Sequence, residues 1–225
     1  MPPQAKAAEV VEARQLAILD AMGVDAYVSR GKAAVPRADG PDWATLAATV
    51  RECRLCSLCE TRTQTVFGTG DRRARLMVIG EAPGAEEDRQ GEPFVGRAGL
   101  LLNSMLRACG FERGDVYIAN VLKCRPPQNR DPSDEEAERC LPYLRRQIEL
   151  IGPAVILCVG RIAAHRLLGT EQALGRLRGR IHLLDGIPVV VTYHPAYLLR
   201  SPGEKRKSWD DLKLALGVLA DGNGA

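Results

Sequence analysis

Nowhere in the chain do as many as about 18 apolar residues run together, so no membrane-spanning helix is expected. Met1 to Arg14 lack a basic stretch followed by an apolar one. No secretory signal is therefore expected, and the reading is a cytoplasmic protein, nucleoid-associated if its source is a prokaryote. Internal repeats and long low-complexity stretches are missing, which excludes solenoids and arrays. No Gly-Lys-Ser or Gly-Lys-Thr is present, and Gly68-Thr69-Gly70 precedes an apolar run where a phosphate-cradling loop would follow one. Aromatic residues are scarce, at 4 % with only three Phe. Charge is nearly balanced too, at +3 over 225 residues.

What is present is unevenly placed. Basic residues gather at Arg72, Arg73 and Arg75, at Arg176, Arg178 and Arg180, and at Arg200, Lys205, Arg206 and Lys207. Such clusters suit a phosphate backbone, and equally an ordinary solvated surface. Apolar residues make up 45 %, enough to bury a core in one compact domain with an appendage. Seven cysteines are many for a reducing compartment, where stable disulfides are rare. Metal binding or burial must explain them.

Ala8 to Met22 carry apolar residues at helical spacing, and a Gly-, Pro- and Asp-rich linker runs from Gly31 to Asp42. Asp42 is placed to cap a helix leading to the first cysteines. Four short apolar runs then read as strands: 76–79, 116–119, 155–159 and 187–192. Helical patterns run from Arg97 to Cys109, from Pro132 with Ser133 or Asp131 as cap, from Arg161 to Leu168, and from Lys207 to Leu219. Uninterrupted apolar strands between helices predict a parallel sheet covered on both faces. Ligands of such sheets sit beyond the carboxyl ends of the strands. There the chain places Gly80-Glu81-Ala82-Pro83-Gly84, Asn120, Gly160 and His194-Pro195.

Cys53 and Cys56 form a Cys-x2-Cys pair, Cys59 repeats the spacing, and Cys124 and Cys140 lie downstream with fifteen residues between them. Thiolates at this spacing turn toward one centre, and two distant cysteines complete the set. Zinc and iron–sulfur both fit. A redox pair does not, because no strand leads into it and no helix follows as in a thioredoxin-like site. Pro126-Pro127 keep the stretch after Cys124 out of a helix. Cys109 and Cys158 fall in apolar patterns and read as core.

The segments VFGTG, MVIGEAPGAEED, GEPFVGRAGLLLN, VYIANVLKCRPPQNRDP and TYHPAYLLR resemble, in order and spacing, the family-4 uracil-DNA glycosylases. The resemblance covers roughly Cys53 to Leu216. It implies an α/β fold, a three-layer α/β/α sandwich around a four-stranded parallel sheet, and a monomer acting on uracil-containing DNA, single- or double-stranded. It implies a domain at 45–221, flanked by a helical extension and linker at 1–44 and a disordered tail at 222–225. It also implies a 4Fe–4S cluster on Cys53, Cys56, Cys124 and Cys140, with Cys59 a bystander.

Carried onto this chain, the family pattern gives each motif a role. Asn120 faces the O4 and N3 edge of uracil, which an amide can match. Phe94 stacks on the extruded base. Gly91, Pro93 and Gly96 around it suggest an exposed loop. His194 donates to O2 of the leaving uracil, and Glu81 balances charge on the sugar and holds the attacking water. Gly80 and Ala82 allow backbone approach to uracil, and Glu87 lies at its C5 edge. Tyr197, Leu198 and Arg200 are expected to touch DNA, with Lys123, Arg125 and Arg130 as a second phosphate contact. A related group forms a covalent adduct through a His in a basic insertion near CRPPQNRDPSDEE. That insertion is missing here, and Arg180-Ile181-His182 lies far downstream, so ordinary hydrolytic turnover is expected. The competing reading is a metal-binding nucleic-acid protein without enzymatic activity, which needs neither Glu81 nor His194.

Overall fold

The structure is a computed structural model and describes residues 41–221. The expected N-terminal helix, most of the linker and the tail at 222–225 lie outside the described residues.

Helix α1 (Pro41–Glu52) begins one residue before the expected cap and leads to the cysteines. Its Trp43 packs edge-on against Phe67 and Tyr117, with ring centroids 5.3 and 5.4 Å away. A short α2 (Leu58–Thr61) follows. Four strands then carry the centre: β2 (Leu76–Gly80), β3 (Tyr117–Asn120), β4 (Val155–Val159) and β6 (Ile187–Thr192). Between and after them come α3 (Ala85–Gln90), α4 (Arg97–Ala108), α5 (Asp134–Ile151), α6 (Arg161–Leu168), α7 (Leu174–Leu177), α8 (Pro195–Arg200) and α9 (Lys205–Asp221).

Strands β2, β3 and β4 are buried throughout, as runs of Val, Ile and Leu covered on both faces should be. Alternate residues point to opposite sides. Met77, Ile79, Ile156, Cys158, Val189 and Val191 meet α5 and α6 in one core. Leu76, Val78, Ile118, Leu157 and Val190 meet α4 and α9 in the other. Ser133 caps α5 by accepting from the Glu136 N–H at 3.2 Å, while Glu136 accepts from the Ser133 N–H at 2.9 Å.

The sheet has six strands and is mixed, which corrects the four-stranded parallel sheet expected from the sequence. With β1 (Thr69–Gly70) and β5 (Ile181–Leu184) at its edges, its order is β1-β3-β2-β4-β6-β5. The four middle strands run parallel. Both edge strands are antiparallel to their neighbours. Two residues carry no periodicity, which hides β1. Strand β5 exposes Ile181 and Leu183 at the edge, so it lacks the buried run that reveals a central strand. It joins β6 through Asp185-Gly186, both at positive φ (49° and 84°). That is the Asp-Gly hairpin turn, a signal the sequence carried.

Candidate active site

The parallel register brings the four sequence-predicted strand ends together. Gly80 pairs with Asn120, and Val159 pairs with Thr192 two residues before His194. Beyond them opens a cleft of about 480 Å³ lined by Glu81, Ala82, Glu87, Phe94, Asn120, His194 and Arg200. Gly80 lies directly against two of these residues, Asn120 and Phe94. A Cβ there would come within 2.5 Å of Asn120 Oδ1 and 2.6 Å of the Phe94 ring, so only glycine lets both side chains close in.

Asn120 is 2 % exposed, and its Oδ1 has no hydrogen-bond partner in the protein. An unpaired buried acceptor is costly, so this atom is set to receive a donor from a ligand. Its backbone is fixed, because Lys123 Nζ donates to the Asn120 carbonyl at 2.9 Å and to Gln147 Oε1 at 2.6 Å. Lys123 is 1 % exposed, which corrects its expected phosphate contact. A fully buried ammonium cannot reach DNA, and its use is internal.

His194 is the N-cap of α8, and its Nδ1 accepts from the Ala196 N–H at 3.1 Å. With Nδ1 an acceptor, the ring proton resides on Nε2. Burial, helped by Arg200 and opposed by Glu87, lowers the imidazole pKa to about 4. The ring is thus a neutral donor. Burial and then Asp131 raise the Glu81 carboxyl to about 7, against the pull of Arg161.

Phe94 corrects the exposed-loop expectation. It is 6 % exposed, because the ring folds back over Gly80 and lies 5.6 Å from the His194 ring at an interplanar angle of 30°. Glu87 accepts from the N–H groups of Gly84, Val95 and Gly96 at 3.0–3.2 Å. Leu198 is 1 % exposed and packs in the core on the α4 side, which corrects its expected DNA contact. Helix α8 turns Leu198 inward and leaves Tyr197 and Leu199 outside. Arg178 is likewise spent internally, on Asp211 and against the Tyr193 ring. His182 binds the Leu177 carbonyl at 2.7 Å and does not line the cleft. Arg125 donates to Asn129, and Arg130 is paired with Glu136. Sequence reasoning missed Pro126, Asn129 and Asp131, which also line the cleft. Left-handed backbone at Gln128 and Asn129 (φ 56° and 55°) turns this loop inward, and the Pro-Pro pair gave only part of that signal.

Cys53, Cys56, Cys59, Cys124 and Cys140 line one separate cavity with Arg62, Lys123 and Tyr143. Arg62 Nη1 donates to Cys124 Sγ at 2.9 Å, and the Lys123 N–H donates to Cys140 Sγ at 3.2 Å. Among the described residues no three His, Cys, Asp or Glu side chains close in as ligands of a single ion. Burial raises the Cys140 thiol to about 12. Cys158 lies in the core under α5 and α6, and Cys109 packs against the core under α4 and α9, as expected.

The sequence profile of the uracil DNA glycosylase superfamily matches residues 67–213, which include every cleft residue. The chain belongs to the uracil DNA glycosylase superfamily. Within the superfamily it is similar to the Type-4 uracil-DNA glycosylase of Archaeoglobus fulgidus, 44 % identical over 172 residues, covering 73 % of this chain and 86 % of that protein. It is similar to the Thermotoga maritima Type-4 enzyme at 47 % over 154 residues, covering 68 % and 80 %. For the Pyrobaculum aerophilum Type-4 enzyme the figures are 42 % over 176 residues, covering 75 % and 90 %.

Proposed function

We propose that this protein is a uracil-DNA glycosylase: it hydrolyses the N-glycosidic bond of deoxyuridine in DNA, releases uracil and leaves an abasic site for repair. The observation that carries this reading is the unpaired Asn120 Oδ1, buried in the cleft beneath Phe94. Uracil N3–H is the donor that atom lacks, and the Asn120 amide N–H suits uracil O4. Cytosine presents an acceptor at N3 and donors at N4, so both contacts would fail. The base must leave the stack to enter, which costs a few kcal/mol, and stacking on Phe94 offsets this by roughly 1–3 kcal/mol. Glu87 limits room at the C5 edge through the 94–96 backbone it holds.

As the bond breaks, negative charge develops on uracil O2 and positive charge on the sugar. His194 Nε2–H is the donor for O2, and its low pKa keeps it neutral and in place. Glu81 as carboxylate faces the sugar and orients water toward it. Of the three expected DNA-facing groups of α8, Tyr197 and Arg200 remain exposed, and they are assigned to the strand that carries the uracil. The domain is assigned to 45–221, acting as a monomer on single- or double-stranded DNA.

The thiols of Cys53, Cys56, Cys124 and Cys140, with N–H donors on two of their sulfurs, are a donor set that fits a 4Fe–4S cluster. A cluster bound there supplies a cross-link between the 53–62 and 123–140 segments, and the base-excision chemistry stays with the cleft residues. Incubation with uracil-containing oligonucleotides, single- and double-stranded, followed by alkaline cleavage, tests the function. Scission at uracil alone is expected; binding without an abasic product would reject the enzyme.

A further inference from the structure

Phe94 has a φ of +55°, a left-handed backbone that bulky residues seldom adopt. Something must hold it there, since relaxation to negative φ would swing the ring off Gly80. Glu87 holds the N–H side of the turn at Val95 and Gly96. The carbonyl side is held by Arg113, whose Nη2 donates to the Pro93 carbonyl and whose Nη1 lies 3.4 Å from the Phe94 carbonyl. Nη1 also donates to Asn103 Oδ1 of α4 at 3.2 Å. Arg113 stands in a one-turn 3-10 helix, Arg113–Asp115, ahead of β3 and does not line the cleft.

We propose that Arg113 is a positioning residue for uracil recognition, its guanidinium spanning the Pro93 and Phe94 carbonyls so that the Phe94 ring stays where the base must stack. The inference rests on the reading of Phe94 as the stacking residue. A planar fork of donors suits two adjacent carbonyls and an amide, whereas one ammonium cannot span them. The residue acts only through Phe94, so its effect must vanish when the ring is gone.

The test is a double-mutant cycle on the full chain with Arg113→Met, Phe94→Ala and both, reading inhibition by free uracil during excision. An inhibition constant belongs to the folded molecules alone, so a merely structural role would not move it. Arg113→Met is expected to weaken uracil inhibition on the order of tenfold, Arg113→Lys by less, and Arg113→Met to add under about twofold in the Phe94→Ala background. Wild-type inhibition in Arg113→Met, or losses that multiply in the double variant, overturns the proposal. Should Arg113→Met fail to fold, Arg113→Lys is read in its place: severalfold weaker inhibition supports the proposal and wild-type inhibition overturns it. If Phe94→Ala itself leaves uracil inhibition unchanged, the stacking reading fails and takes this inference with it. If Phe94→Ala is impaired and Arg113→Met is not, only the role of Arg113 falls.

Discussion

Glu81 has a folded-state pKa of about 7, above the range of a solvated carboxyl. Below that pH it is mostly neutral, and above it mostly charged. If the carboxylate is the working form, the single-turnover excision rate rises from pH 6 to pH 8. His194, at about 4, is neutral throughout that window and adds no fall. Glu81→Gln is expected to lower the rate and flatten the rise; a wild-type rate that drops through pH 7 would contradict the assignment. The same shift has a stability consequence. The unfolded carboxyl ionises near its ordinary pKa and the folded one only near 7, so ionisation opposes folding above the unfolded value. Glu81→Gln should therefore raise the melting temperature, and by more at pH 8 than at pH 4. His194→Ala removes one donor to the developing oxyanion, and the rate should fall about 10²–10³-fold. A loss under tenfold in a folded variant would take His194 out of that role. Gly80, Glu81, Asn120 and His194 were legible because each falls at a strand end inside a recognisable motif. Asp131 and Asn129 were not, since their approach depends on left-handed turns that motif spacing does not encode. Leu198 was misread because a short stretch of letters does not say which way a helix faces.

Helix α5 carries Cys140 on a buried face and starts at a reciprocal Ser133–Glu136 cap. Losing such a cap costs about 1 kcal/mol, which for a domain of this size is roughly 2–4 °C in melting temperature. Ser133→Ala should show that drop by thermal melting with excision unchanged. No change in melting would mean that Glu136 and Arg130 hold the helix start unaided. Strand β4, helix α6 and strand β6 have the bounds read from the sequence, because buried apolar runs between glycines leave little choice. The edge strands had no such constraint. Strand β5 is half solvated, and only its turn chemistry betrayed it. Strand β1 exists because Thr69-Gly70 lies against Tyr117 and Ile118, a tertiary pairing with no local pattern.

Across the whole molecule, Lys123 links the cysteine cavity, which it lines, to Asn120 of the cleft. Its backbone N–H donates to Cys140 Sγ while its ammonium holds the Asn120 carbonyl. The cysteine cavity is thereby joined to Asn120, the residue proposed to read the base. Purified protein should be brown with broad absorption at the blue end of the visible, and Cys140→Ser should lose the colour and melt lower. Colourless protein loaded with zinc would refute the cluster and leave the cleft assignment standing. Among the described residues no helix is long and apolar enough to cross a membrane. The unpaired Asn120 Oδ1 is the feature that most directly ties the cleft to uracil. The direct measurement is single-turnover release of uracil from a uracil-containing oligonucleotide by wild type and by Asn120→Ala, with melting recorded for both. The prediction is a loss on the order of 100-fold or more with the fold intact. A folded Asn120→Ala that excises uracil within about twofold of wild type would contradict it.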